Sequence, residues 1–241
     1  MHIVYMLFIV TFIFLAIVLL MCLFRDKIKG HTINAIMVLS CALFLFSWTY
    51  ATYENNGLKN GFITFDNISP YICTVISLTP FMNKTVKDLA RCCVAFLGLA
   101  MFIAMYVNPG TSLLMNYYQG TKFIHVAEAA CHLAMGVYGF YLVLSDRVRV
   151  TVKNYLKGLA FMFMSIGFVL FLNFIFHRSH FGMDMYGDYS IYFLDIFDSF
   201  EITLLAYVIG VYAAMTVGFL VCLGLDKLSR EEEPDSLYTY R

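Results

Sequence analysis

Thr121–Ser145, TKFIHVAEAACHLAMGVYGFYLVLS, is the stretch whose reading decides the fold. Its length and apolarity suit a helix that crosses a bilayer, yet it carries His125, Glu128 and His132. At 100° per helical residue, His125 and His132 project about 20° apart, with Glu128 about 60° to one side. One face of a membrane-buried helix therefore presents three proton-exchanging side chains. Ionisable groups at membrane depth turn toward the bundle interior or a wet cavity and mark a functional site by default. The alternative is that they only hydrogen-bond to neighbouring helices.

The rest of the chain has the same character. With 61% hydrophobic and 13% charged residues, it lies far outside soluble-domain composition, and its continuous apolar runs exclude a β-barrel of short alternating strands. The class is all-α, a polytopic transmembrane bundle. Seven segments reach or approach spanning length: Ile3–Phe24, Ile33–Tyr53, Ile68–Met82, Leu89–Val107, Thr121–Ser145, Tyr155–Phe176 and Ile202–Leu225. The first lacks a cleavage signature and reads as a retained helix. The third is short, holds Pro70 and Pro80, and is expected to recruit Phe62–Phe65 and bend or break. Tyr189–Phe200 is expected to form an interfacial helix or to begin the seventh span. One membrane domain thus covers 1–225, and 226–241 form a polar, acidic tail expected to be solvated and mobile.

Charge distribution sets the orientation. Arg25, Lys27, Lys29, Lys84, Lys87, Arg91, Arg147, Arg149, Lys153, Lys157, Lys227, Arg230 and Arg241 fall on one side, against Lys59, Lys122 and Arg178 on the other. Seven spans, with the amino terminus outside and the carboxyl terminus cytoplasmic, satisfy that split. The expected location is a membrane, the plasma membrane first. Trp48, Tyr50, Tyr53, Tyr117, Tyr118 and Tyr189 cluster toward the outer face as an interfacial belt. Gly210, Ala214 and Gly218, with Gly136 and Gly139, are expected to let helices approach closely. No basic stripe stands clear of the membrane, so nucleic acid is not an expected partner. All seven cysteines lie in apolar runs, which argues against a disulfide framework.

Depth follows from the 1.5 Å rise per residue. His132 lies roughly 16 Å below the outer end of its helix, Cys73 roughly 10–15 Å from the same side, and Asn173 roughly 5 Å in. Asp195, Asp198 and Glu201 stand at the outer mouth of the last span. A thiol becomes a nucleophile when a histidine takes its proton and an acid orients the imidazole. Cys73 with His132 is therefore the expected pair, with Glu128 as the orienting acid. A metal reading through His125, His132, His177, His180 and Asp184 is weaker, because histidines seven apart on one helix do not share an ion easily. No metal or cofactor is called for.

Pro70-Tyr71-Ile72-Cys73 resembles the third-helix motif of the YwaF-like integral membrane proteins. The likeness continues through the Pro109 turn, Phe123 leading to His132 with Gly139 and Tyr141, the basic loop of Arg147 and Arg149, Asn173, and Gly187-Asp188-Tyr189 ahead of Phe193-Leu194. It covers about residues 65–200. Asp188 stands where the family has asparagine, and the family's tryptophan–proline element is absent, since Trp48 is the only tryptophan. A eukaryotic branch of that group is regarded as a phospholipid acyltransferase that uses membrane-embedded cysteine and histidine. The resemblance thus implies Cys73 as nucleophile and His132 as base; with Glu128, the orienting acid read from helix spacing, and Asn173, these form the candidate site, and membrane lipids or a small molecule are the expected substrate.

Three functions remain open at this point. The first is acyl transfer or ester hydrolysis on a lipid through an acyl-Cys73 intermediate. The second is proton-coupled transport with His125, Glu128 and His132 as a relay. The third is a non-enzymatic accessory subunit in which the polar residues join helices.

Overall fold

The computed structural model describes residues 3–24, 30–56, 68–107, 109, 122–177, 181, 183 and 199–231. Seven α-helices and no strand lie among them: α1 (Ile3–Leu23), α2 (Gly30–Asn56), α3 (Ile68–Leu78), α4 (Lys84–Val107), α5 (Lys122–Leu144), α6 (Val152–Phe176) and α7 (Phe200–Glu231). Each corresponds to one of the seven apolar segments. α1, α4, α5, α6 and α7 are long and apolar enough to cross a membrane. The expected belt residues Tyr117, Tyr118 and Tyr189, and Phe62–Phe65 ahead of the third span, lie outside the described residues. So do all but the last residue of Tyr189–Phe200 other than Ser199.

Helix ends extend past the apolar runs because polar residues cap them. Asn83 Oδ1 accepts the Val86 amide at 2.9 Å, which starts α4 five residues before its apolar run. Thr151 caps α6 through the Asn154 amide, and His177 closes it in the left-handed conformation at φ 50°. Ser199 sits at the start of α7, where its hydroxyl accepts from the Ile202 amide. α7 continues to Glu231, so the first six residues assigned to the polar tail extend this helix instead. The remainder of the tail is outside the described residues.

α3 is the exception in length. Its 11 residues rise about 16 Å, roughly half of a hydrocarbon core. Pro70 falls in its first turn, where the missing N–H is wanted by no carbonyl inside the helix, and so Pro70 does not bend it. The expected break comes at the other end, where Thr79–Phe81 tighten into a 3₁₀ turn that contains Pro80.

α4 is the axis of the bundle. It is buried without interruption from Cys92 to Ala100, the mark of a helix surrounded on all sides. α5, α6 and α7 approach it through glycines: Gly139 lies against the backbone of Val94 and Ala95, Gly158 against Cys92, and Gly218 against the Phe96 carbonyl. Polar ties join the same helices. Thr11 and Tyr106 share a hydrogen bond of 2.6 Å between α1 and α4, and Tyr155 and Thr216 one of 2.6 Å between α6 and α7. Lys157 of α6 pairs with Asp88 of α4.

Polarity is distributed opposite to that of a water-soluble protein. Phe8 (71% exposed), Phe46 (71%) and Phe163 (68%) face outward, while Glu128 (0%) and His132 (1%) are buried. An apolar outer face over a polar-containing interior is the arrangement a lipid solvent selects. This is a multi-pass membrane protein.

Candidate functional site

His132 is held from two sides. Its Nδ1 lies 2.9 Å from the backbone carbonyl of Glu128, one turn earlier on α5, and 3.6 Å from Glu128 Oε2. Its Nε2 lies 3.3 Å from Ser69 Oγ, in the first turn of α3. A carbonyl only accepts, so Nδ1 carries the proton. In the neutral ring Nε2 is then an acceptor, and the Ser69 hydroxyl donates to it. Ser69, Glu128 and His132 are all buried to 1% exposure or less. His132 is ten residues into α5, about 15 Å along its axis, so this meeting of α3 and α5 lies deep in the bundle.

Cys73 is one turn along α3 from Ser69, on the same face. It lies in the core near Cys131 of α5 and Cys41 of α2, and all three cysteines are completely buried. Glu128 is close enough to act electrostatically on both Cys73 and Cys131. The structure thus brings Cys73, Glu128 and His132 into one region. It sets a serine hydroxyl, rather than the expected thiol, against the imidazole. Among the described residues no group of three or more His, Cys, Asp or Glu side chains is arranged to hold a metal ion. His180 and Asp184 lie outside those residues.

Asn173 is brought elsewhere. It is fully buried on α6 and donates through Nδ2 to the Met183 carbonyl at 3.4 Å. Neighbouring Phe181 packs edge-on against Tyr71, with ring centroids 5.2 Å apart, and Tyr71 lies near Ser165 of α6. Tyr71 is two residues from both Ser69 and Cys73, about 160° around α3. Asn173 therefore secures the chain at 181–183 behind α3, across that helix from Ser69. His125 lies nearer the start of α5 and is only half-buried. Asp195 and Asp198 are outside the described residues, and Glu201 accepts from Ser199 Oγ at 2.6 Å at the start of α7.

Hydroxyl, imidazole and carboxylate stand in the order that activates a nucleophile: Oγ against Nε2, and a carbonyl with a carboxylate against Nδ1. No protein-family model, no characterised protein and no solved structure matches this chain.

Proposed function

We propose that this protein is a membrane-embedded acyl-transfer enzyme acting on the ester of an acyl lipid, with Ser69 as nucleophile, His132 as general base and acid, and Glu128 as the residue that orients the imidazole. The observation that carries the proposal is the Ser69–His132–Glu128 constellation, buried at a depth where acyl chains arrive from the lipid phase. The Ser69 oxygen attacks the ester carbonyl while its proton passes to His132 Nε2. Collapse of the tetrahedral intermediate expels the alcohol, which takes that proton and leaves the acyl group on Ser69. Water, or a second lipid alcohol, then attacks the acyl-serine, with His132 removing its proton and returning one to Ser69. Hydrolysis and transfer differ only in which acceptor reaches the site.

The likeness to YwaF-like proteins supports acyl chemistry at His132, although it points to Cys73. Ser69 Oγ faces His132 Nε2 at 3.3 Å, whereas Cys73 is one turn further along α3, which favours Ser69 as the nucleophile. A long-chain alkyl fluorophosphonate added to the full chain in detergent tests this assignment. Labelling should map to Ser69, vanish in Ser69→Ala and His132→Ala, and persist in Cys73→Ala. Labelling that survives Ser69→Ala would remove serine as the nucleophile. Labelling indifferent to His132→Ala would remove the acyl-enzyme altogether.

A further inference from the structure

The start of α4 carries a second polar constellation, one turn or more away from the site above. Lys84, Lys87 and Arg91 project within about 60° of one another. Lys84 is exposed, while Lys87 and Arg91 are half-buried, so this row of cations runs from the bundle's end into its interior. There the Arg91 guanidinium acts electrostatically on the Tyr138 hydroxyl of α5, and Tyr138 is completely buried. That hydroxyl donates to Asn34 Oδ1 of α2 at 2.9 Å. Thr79, buried in the 3₁₀ turn after α3, lies near the same hydroxyl and donates its own to the Ile76 carbonyl at 2.7 Å. Four separate segments thus bring polar groups near one point.

The constellation lacks a counter-charge. Arg91 Nε is buried without a hydrogen-bond partner. Among the described residues no carboxylate pairs with Arg91, and Asp88, one turn away on the same helix, is engaged by Lys157. A guanidinium cannot shed its proton. Its buried, unsatisfied Nε–H is costly unless an anion joins it. The group that fits a planar fork of donors behind two lysines is an oxyanion of more than unit charge, and basic pockets between membrane helices take lipid phosphates in this way.

We infer that Arg91, beside the Tyr138–Asn34 pair, forms a binding site for a phosphate group, entered along Lys84 and Lys87. The phosphate belongs either to a lipid headgroup or to a free phosphate in the adjoining water. Tyr138 is six residues beyond His132, about 9 Å along α5, so the site does not depend on the reaction proposed at Ser69.

The test uses the purified full chain in maltoside micelles with three probes: dihexanoyl phosphatidic acid, inorganic phosphate and dihexanoyl glycerol. Phosphatidic acid should raise Tm and the uncharged diacylglycerol should not. Arg91→Gln should weaken the phosphatidic acid Kd by about tenfold or more, and Arg149→Gln, an exposed cation outside the cluster, should leave it unchanged. Tighter binding of phosphatidic acid than of phosphate assigns the site to lipid, and equal binding assigns it to the free anion. A diacylglycerol shift as large as that of phosphatidic acid, or a wild-type Kd in Arg91→Gln, overturns the site. If Arg91→Gln does not fold, Lys87→Gln serves instead: it should weaken binding most at low salt, and an unchanged Kd overturns the inference.

Discussion

His132 and Tyr207 show how differently a buried polar group is treated at two points of this bundle. Both His132 nitrogens face partners, whereas the Tyr207 hydroxyl on α7 is buried with no hydrogen-bond partner. An unsatisfied buried hydroxyl costs about 1–3 kcal/mol. Tyr207→Phe keeps the ring and removes that cost, so it should raise the Tm of the purified protein, by a stabilisation of about 1 kcal/mol. A lowered Tm would mean that the hydroxyl is satisfied in the membrane by a group from outside the chain. Glu128 and His132 were legible in the sequence because charge in an apolar run is conspicuous. Ser69 was not. A serine in a membrane helix ordinarily returns its hydroxyl to the carbonyl four residues back, as Ser77 does to Cys73 at 2.7 Å and Ser165 to Phe161 at 2.8 Å. Nothing local distinguishes Ser69 from these. Its partner lies 63 positions away, and only the packing of α3 on α5 reveals it. Asn173 was legible as a buried polar residue, but its partner at Met183 was not, for the same reason.

Among the elements, hydropathy found the seven helices α1–α7 and misplaced several of their ends, since it registers apolar side chains and not the backbone hydrogen bonds that continue past them. Asn83 and Thr151 start α4 and α6 ahead of their apolar runs, and α7 runs beyond its own to Glu231. Small residues were legible as a stripe but not as a contact. Gly210, Ala214 and Gly218 share one face of α7, yet a Cβ at Gly210 would meet nothing within 4 Å, whereas one at Gly218 would overlap the Phe96 carbonyl. The stripe thus meets α4 at one end and is open at the other. Gly218→Ala should destabilise by about 1–3 kcal/mol or more, because the overlap is with backbone. Gly210→Ala should be neutral or stabilise by up to about 1 kcal/mol through helix propensity. Thermal scans of the two variants in detergent separate these outcomes. Equal losses at both positions would place another surface against Gly210.

At the scale of the molecule, orientation rests on one asymmetry. The end of the bundle where α3 finishes, α4 begins, α5 finishes and α6 begins is tied together by Tyr138–Asn34 and Lys157–Asp88. Lys84, Lys87, Arg91, Arg147, Arg149, Lys153 and Lys157 all lie at or near that end, and the Arg147 guanidinium is 5.6 Å from the centre of the Tyr141 ring. Lysine and arginine next to membrane spans are retained on the cytoplasmic side, so this end, with the proposed phosphate site, should face the cytoplasm. Seven helices that alternate in direction would then carry α7 from the outer face inward, so its Lys227 end should face the cytoplasm as well. A reporter active only in the cytoplasm should be active when fused after Arg241. A reporter that needs the opposite compartment should be active when inserted between residues 177 and 200. Activity of both reporters in one compartment would remove α7 (Phe200–Glu231), the helix that separates them, from the spanning set.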